Sequence, residues 1–271
     1  FHRLNDICER NSDFADREGL SEEQPCDNWG SVLRVVVSQP MFLPWIGLFE
    51  QIRLADVFVH YDDVQMPRGR SFVYRVQIKT PRGQQWVSAQ IDKKASGRRI
   101  NEMRLVDNPN WKNDHFNLLR ENYRNAPFYG TMRNLAEELY AFEGGNLALF
   151  NQHATETIAE WLGLDTKFVR SSDTGIGGCR SQRLVDLCQH YGATHYITGH
   201  GALNYLDHKS FEEKGIAVEY MDYVKQAYPQ LHGVFMPYLS ILDAIACTGP
   251  GARELLLSDS VYWRDYIDQP R

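Results

Sequence analysis

VLRVVVSQPMFLPWIGLFEQIRLADVFVHYDDVQ, residues 32–65, decides the fold class. Its opening VLRVVVS is a compact apolar run suited to a buried strand. QPMFLPWIG follows, and Pro40 and Pro44 stiffen that connection. LFEQIRLAD then predicts a helix ending near Asp56, and VFVHYDDVQ predicts a second strand. Strand, loop, helix and strand within about 35 residues make a right-handed crossover beside a parallel sheet.

Downstream, SFVYRVQIKT (71–80) and QQWVSAQI (84–91) flank Pro81-Arg82-Gly83 and predict a β-hairpin. Residues 110–163 predict a helical block, broken at Asn125-Ala126-Pro127 and ending at Gly163. A strand in TKFVRSS (166–172) leads into the loop DTGIGG (173–178). A helix in CRSQRLVDLCQHYG (179–192) and a buried strand in ATHYITG (193–199) follow. After the loop HGALNYLDH (200–208) come a short helix and a strand over 209–224, then a late helix in PYLSILDAIACTG (237–249). The expected fold is therefore α/β: a partly parallel sheet with flanking helices, a basic β-hairpin insertion and a central helical block. The core spans 31–250. Residues 1–30 read as an acidic N-terminal extension, and 251–271 as a C-terminal extension packed on the core.

The 271 residues carry 29 Lys and Arg against 35 Asp and Glu, a net charge of -6. Residues 1–30 hold eight acids and three bases, so most of the acidity lies outside the core. Between Met66 and Arg104 ten Lys and Arg face only Asp92 and Glu102, a local charge of +8. With 43% hydrophobic and 24% charged residues, wholesale disorder is excluded. No apolar run approaches the roughly 20 residues of a membrane span. The leader lacks the apolar core of a secretory signal. Five cysteines without pattern do not read as a disulfide scaffold or structural zinc, and favour a reducing, cytoplasmic compartment.

Arg68, Arg70 and Arg75 follow the DDVQ strand, Lys93, Lys94, Arg98 and Arg99 lie in or after the second hairpin strand, and guanidinium groups pair well with phosphates or carboxylates. A diphosphate, a carboxylated sugar or a carrier's phosphopantetheine arm would suit them; a solvated hairpin whose charge serves solubility is the plainer alternative. Nucleic acid is disfavoured, because no RNA-binding motif accompanies Tyr74 and Trp86. Asp62 and Asp63 stand at a strand end, where α/β proteins place active-site groups. Neighbours on an extended chain point to opposite sides, so one carboxylate can face a ligand while the other satisfies a turn or pairs with an arginine. Gln65 and Gln39 offer amides to orient a carbonyl or hydroxyl, and Trp45 can line a stacking pocket. The QPMFLPWIG loop is similar to the first turn of nucleotide-transferring α/β enzymes, but lacks their histidine pair and glycine-rich phosphate signature. Cys179 follows Gly177-Gly178 at a helix start, a position that favours a thiolate; His200 or His208 can serve as its base, with Asp207 orienting a histidine. A metal held by His200, His208 and Asp207 matches no recognised ligand motif, so no metal site is assigned and no cofactor is named.

Five blocks together resemble the WbqC-like protein family: residues 38–65, GQQWVSAQI at 83–91, 108–129, 184–223, and FMPYLSILDAIACTG at 235–249. The resemblance covers about residues 31–250. It implies a bacterial group often placed with polysaccharide, O-antigen or specialised-metabolite assembly. It also implies functional surface at Gln39-Pro40, at Asp62 to Gln65, and at Gly201 to Asp207, which includes Tyr205. It brings no assignment to Cys179 or His200.

The expected activity is transfer of an acyl or aminoacyl group to an amine or hydroxyl of an anionic sugar-linked or carrier-linked intermediate. Arg68, Arg70 and Arg75 would bind the charge, Gln39, Asp62 or Gln65 would orient the acceptor, and His200 would move a proton. The alternatives are a cysteine-dependent ester or thioester hydrolase and a binding protein without turnover.

Overall fold

The computed structural model describes residues 32–268, apart from Arg70, Ala95 and Pro109. The leader and Arg70 lie outside the described residues. The opening stretch folds as β1 (Arg34–Ser38), α1 (Ile46–Leu54) and β2 (Val57–His60), with β1 and β2 parallel from Val35 opposite Val57 to Ser38 opposite His60. β3 (Arg75–Thr80) and β4 (Gly83–Ser88) make the antiparallel hairpin. The helical block is α2 (Asn110–Tyr123), α3 (Tyr129–Tyr140) and α4 (Leu147–Trp161). Pro127 separates the first two, and the Asn146 side chain caps the third by accepting from the Leu149 amide.

The α/β pattern then resumes with β5 (Lys167–Arg170), α5 (Arg180–His190), β6 (His195–Thr198), α6 (His208–Glu212) and β7 (Ala217–Asp222). α7 (Ile241–Thr248), β8 (Asp259–Tyr262) and α8 (Trp263–Asp268) close the described chain. The sheet runs β5-β2-β1-β6-β7-β8, with the first five strands parallel and β8 antiparallel to β7. Thus the segment after residue 250 supplies an edge strand of the sheet itself.

Side-chain alternation explains why the strands read as unbroken apolar runs. Val36 and Phe58 face one core with α1, the hairpin, the helical block and α7. Val35, Val57 and Val59 face another with Val185 and Cys188 of α5, Phe211 of α6 and Tyr266 of α8. Both faces are covered, as parallel sheets require, and each fully buried aliphatic or Phe side chain contributes about 1.5–3 kcal/mol. From β1 the chain crosses to β2 on one side, while β6 pairs on the other. The carboxyl ends of β1 and β6 therefore flank a topological switch point, the place where open α/β sheets leave a crevice.

Candidate functional site

A cleft of about 410 Å³ occupies that crevice. Gln39 follows β1, Tyr61 follows β2, Thr198 ends β6, and Arg180 opens α5; all four line it, with Gln51 and Tyr205. Gly199 matters by what it lacks, since a Cβ there would lie 2.9 Å from the Gln51 amide nitrogen. A second cleft of about 670 Å³ adjoins it and shares Tyr61 and Arg180. Its further walls include Asp63, Gln65, Arg99, Cys179 and Arg183. A third, of about 450 Å³, shares Gln51, Gly199 and Gly201 with the first and is walled by Trp45, His200, Tyr223 and Tyr238.

The two aspartates hold the strand ends. Asp62 is buried; its carboxylate accepts from the Ser171 hydroxyl at 3.1 Å, the Ser172 amide at 3.1 Å, the Ser172 hydroxyl at 2.9 Å and Gln152 at 3.3 Å. It ties the end of β2 to the turn after β5. Asp63 also accepts from the Ser171 hydroxyl, at 2.6 Å, and pairs with Arg183 at 2.5 Å. Burial alone would push the Asp63 carboxyl up, but the hydrogen bonds from Ser171 and Arg183 and the guanidinium charge hold it below the usual range. The Arg183 guanidinium stands 5.0 Å from the Tyr61 ring centroid and donates through Nε to the Ile176 carbonyl. Asp63 and Arg183 thereby fix the glycine loop that forms a wall of the second cleft. Expected to diverge, the two carboxylates instead meet at Ser171.

The basic segment reaches the site through Arg99, from its second half. Gln65 and Arg99 form an antiparallel bridge, which carries Arg99 to the second cleft. Arg68 is exposed and lines none of the three clefts. The Arg75 guanidinium lies 4.1 Å from the Trp86 ring centroid on the hairpin, with Nε and Nη2 buried and no hydrogen-bond partner for either.

Cys179 is exposed at the N-cap of α5. His200 lines the third cleft and approaches the Tyr266 hydroxyl at 3.2 Å, so the structure puts these two groups in different clefts. The Asp207 amide donates to Ser181, and His208 bonds the Tyr220 hydroxyl at 2.8 Å while stacking on Trp263. Burial pushes the His208 imidazole below its ordinary value. Trp45 caps α1, its ring 5.2 Å from Tyr223 and 5.4 Å from Tyr238. Of the expected site residues, Gln39 and Tyr205 line the first cleft, Asp63, Gln65 and Cys179 the second, and Trp45 and His200 the third.

Arg180, Arg183, Tyr61 and Gln51 escaped the sequence reading. A signal existed for the arginines: they stand three positions apart at the start of a helix, directly after a glycine loop. Arg180 itself sits at a left-handed φ of 56°. Among the described residues no group of three or more His, Cys, Asp or Glu is placed to hold a metal ion, and no helix is long and apolar enough to cross a membrane.

The sequence pattern of the WbqC-like protein family matches residues 39–255. Over 225 residues the chain is 32% identical to the Mycobacterium tuberculosis protein described as "Uncharacterized protein Rv1507c", covering 82% of this chain and 97% of that one. No solved structure matches the chain significantly.

Proposed function

The chain belongs to the WbqC-like protein family, and on that premise we propose that it is a transferase acting on an anionic, sugar-linked or carrier-linked biosynthetic intermediate. The transferred group is acyl or aminoacyl, and the acceptor is an amine or hydroxyl. One observation carries the reading: Arg180 stands in the wall of two adjoining clefts at the carboxyl ends of the parallel strands, with Arg99 in the second. Guanidinium groups at the edge of a half-enclosed cleft are suited to a phosphate or carboxylate. Gln39 and Thr198 orient the neutral part of the substrate, and Asp63 acts through Arg183 to keep the glycine loop in place. His200, beside the Tyr266 hydroxyl, takes the proton the acceptor loses as it attacks the donor carbonyl and gives it to the departing thiolate, so the acyl C–S bond breaks as the new C–N or C–O bond forms.

Incubating the full chain with acyl thioester donors and phosphorylated amine or hydroxyl acceptors, with product mass as readout, tests the reading. Arg180→Ala is expected to lower kcat/KM about tenfold or more, chiefly through KM, because a hydrogen bond to a charged group is worth about 1.5–3 kcal/mol. Folded wild-type protein that neither binds nor converts any charged donor or acceptor would overturn it.

The exposure of Cys179 on the second cleft favours one other reading, a thiol-dependent ester or thioester hydrolase. Cys179→Ala would then abolish turnover while leaving the melting temperature unchanged. Retained turnover removes the thiol as nucleophile.

A further inference from the structure

The third cleft differs in chemistry from its neighbours. Trp45, Tyr223 and Tyr238 wall it, with Gln51, Asp222 and Lys225 also in its lining, and the Lys225 ammonium stands 5.6 Å from the Tyr238 ring centroid. Ring centroids lie 5.2–6.1 Å apart, and the planes meet at 75°, 55° and 35°. Rings tilted in this way fill space against one another and leave no parallel slot for a flat base. They offer instead an apolar face bordered by hydrogen-bonding groups.

That surface is built to stay open. Tyr238 is 38% exposed and sits at φ 66°, a left-handed conformation that a tyrosine adopts only when its surroundings impose it. They do so here: the Ser240 amide donates to the Gln77 carbonyl, and the Ile241 amide to Pro44. The long irregular connection between β7 and α7 is further held by buried Lys79, whose ammonium donates to Gln230, Gly233 and Val234. Loops of this length without regular structure usually serve function, and a pinned one presents its rings without an ordering cost on binding. Gly47 completes the platform, because a Cβ there would lie 2.1 Å from the Trp45 ring.

We propose that the third cleft is a carbohydrate subsite taking a pyranose ring. A puckered ring turns its C–H groups toward the electron-rich aromatic face and its hydroxyls toward the rim, where a carboxylate accepts and an amide and an ammonium donate. The inference deepens the transferase reading and rests on it for the anion end: ring in the third cleft and phosphate by Arg180 make the substrate a sugar phosphate.

Calorimetric titration of the full chain with glucose, galactose and mannose 1-phosphates, against glycerol 3-phosphate and uridine, tests it. At least one hexose phosphate is expected to bind about tenfold tighter than glycerol 3-phosphate. Tyr238→Ala should erase that margin, Tyr238→Phe should keep it, and neither should change glycerol 3-phosphate binding. Saturation-transfer NMR with the methyl glycosides of the same sugars reads the ring without the anion, and its signals should vanish in Tyr238→Ala. No margin in the wild type, a margin that survives Tyr238→Ala, or uridine binding lost in that variant would each overturn the subsite. Glycerol 3-phosphate binding that persists in the wild type and disappears in Arg180→Ala leaves the anion end standing on its own. Loss of all phosphate binding removes that end, and the methyl glycosides then decide the subsite alone.

Discussion

His115 sits among Trp111, Tyr140 and Phe42, with Nδ1 2.8 Å from the Tyr140 hydroxyl. Burial pushes its imidazole down to about 4, from an ordinary 6.5. The unfolded chain therefore binds a proton in a window where the folded chain does not, and stability rises with pH there. As pH falls from 6.5 toward 4, the protein loses up to about 3 kcal/mol from this residue. Urea midpoints at pH 7 and pH 5 should differ for the wild type, and His115→Gln should narrow the gap; an unchanged gap would refute the assignment. Asp63 adds a dependence at lower pH, because its depressed carboxyl stabilises the fold above the ordinary carboxylate range and stops doing so as pH falls through it. Asp62, Asp63 and Gln65 could be singled out because they follow a strand. Their partners could not: Arg183 lies 120 positions from Asp63, and Ser171 lies 109 from Asp62. Spacing carries information over a turn of helix, whereas these pairs exist only once the sheet has formed.

Elements were legible to within a few residues wherever the apolar period was clear, as in β1, α1 and both hairpin strands. By contrast, β2 stops at His60, five residues before the expected end at Gln65, where the polar DDVQ turns away from the sheet. The break between α2 and α3 followed from Pro127. Less visible was why α1 begins with a glycine in its second position. Alanine there would gain up to about 1 kcal/mol of helix propensity, but its Cβ would strike the Trp45 indole at 2.1 Å. The collision wins, since displacing a packed ring costs about 1–3 kcal/mol. Gly47→Ala is expected to lower Tm and, by moving Trp45, to weaken ring binding in the third cleft more than phosphate binding in the first. A variant with unchanged Tm and unchanged ligand affinities would show that the ring relocates freely.

At the scale of the molecule, the tail is bound into both the sheet and the core. β8 pairs with β7, and buried Glu50 accepts from the Leu257 and Ser258 amides at 3.0 Å each. Ser258 also receives the Val224 amide through its hydroxyl and Arg53 through its carbonyl. Ending the chain at Leu256 would bare the β7 edge and strip Glu50 of both amide donors, with Arg53 still 3.7 Å away, at a cost of about 1–3 kcal/mol for each unmet hydrogen bond. Such a truncation is expected to aggregate or melt without cooperativity, as gel filtration and circular dichroism would reveal.

The position of β1 at the sheet's centre has a consequence in time. The amide of Leu33, just before β1, meets the Thr194 hydroxyl 161 positions later, and β6 pairs with β1 immediately beyond. At about 5–20 residues per second, a ribosome needs roughly 8–32 s to make the intervening chain. Throughout that interval β1 has only β2 available on one side, and its other edge waits unpaired, so the nascent protein is most exposed to aggregation before β6 emerges.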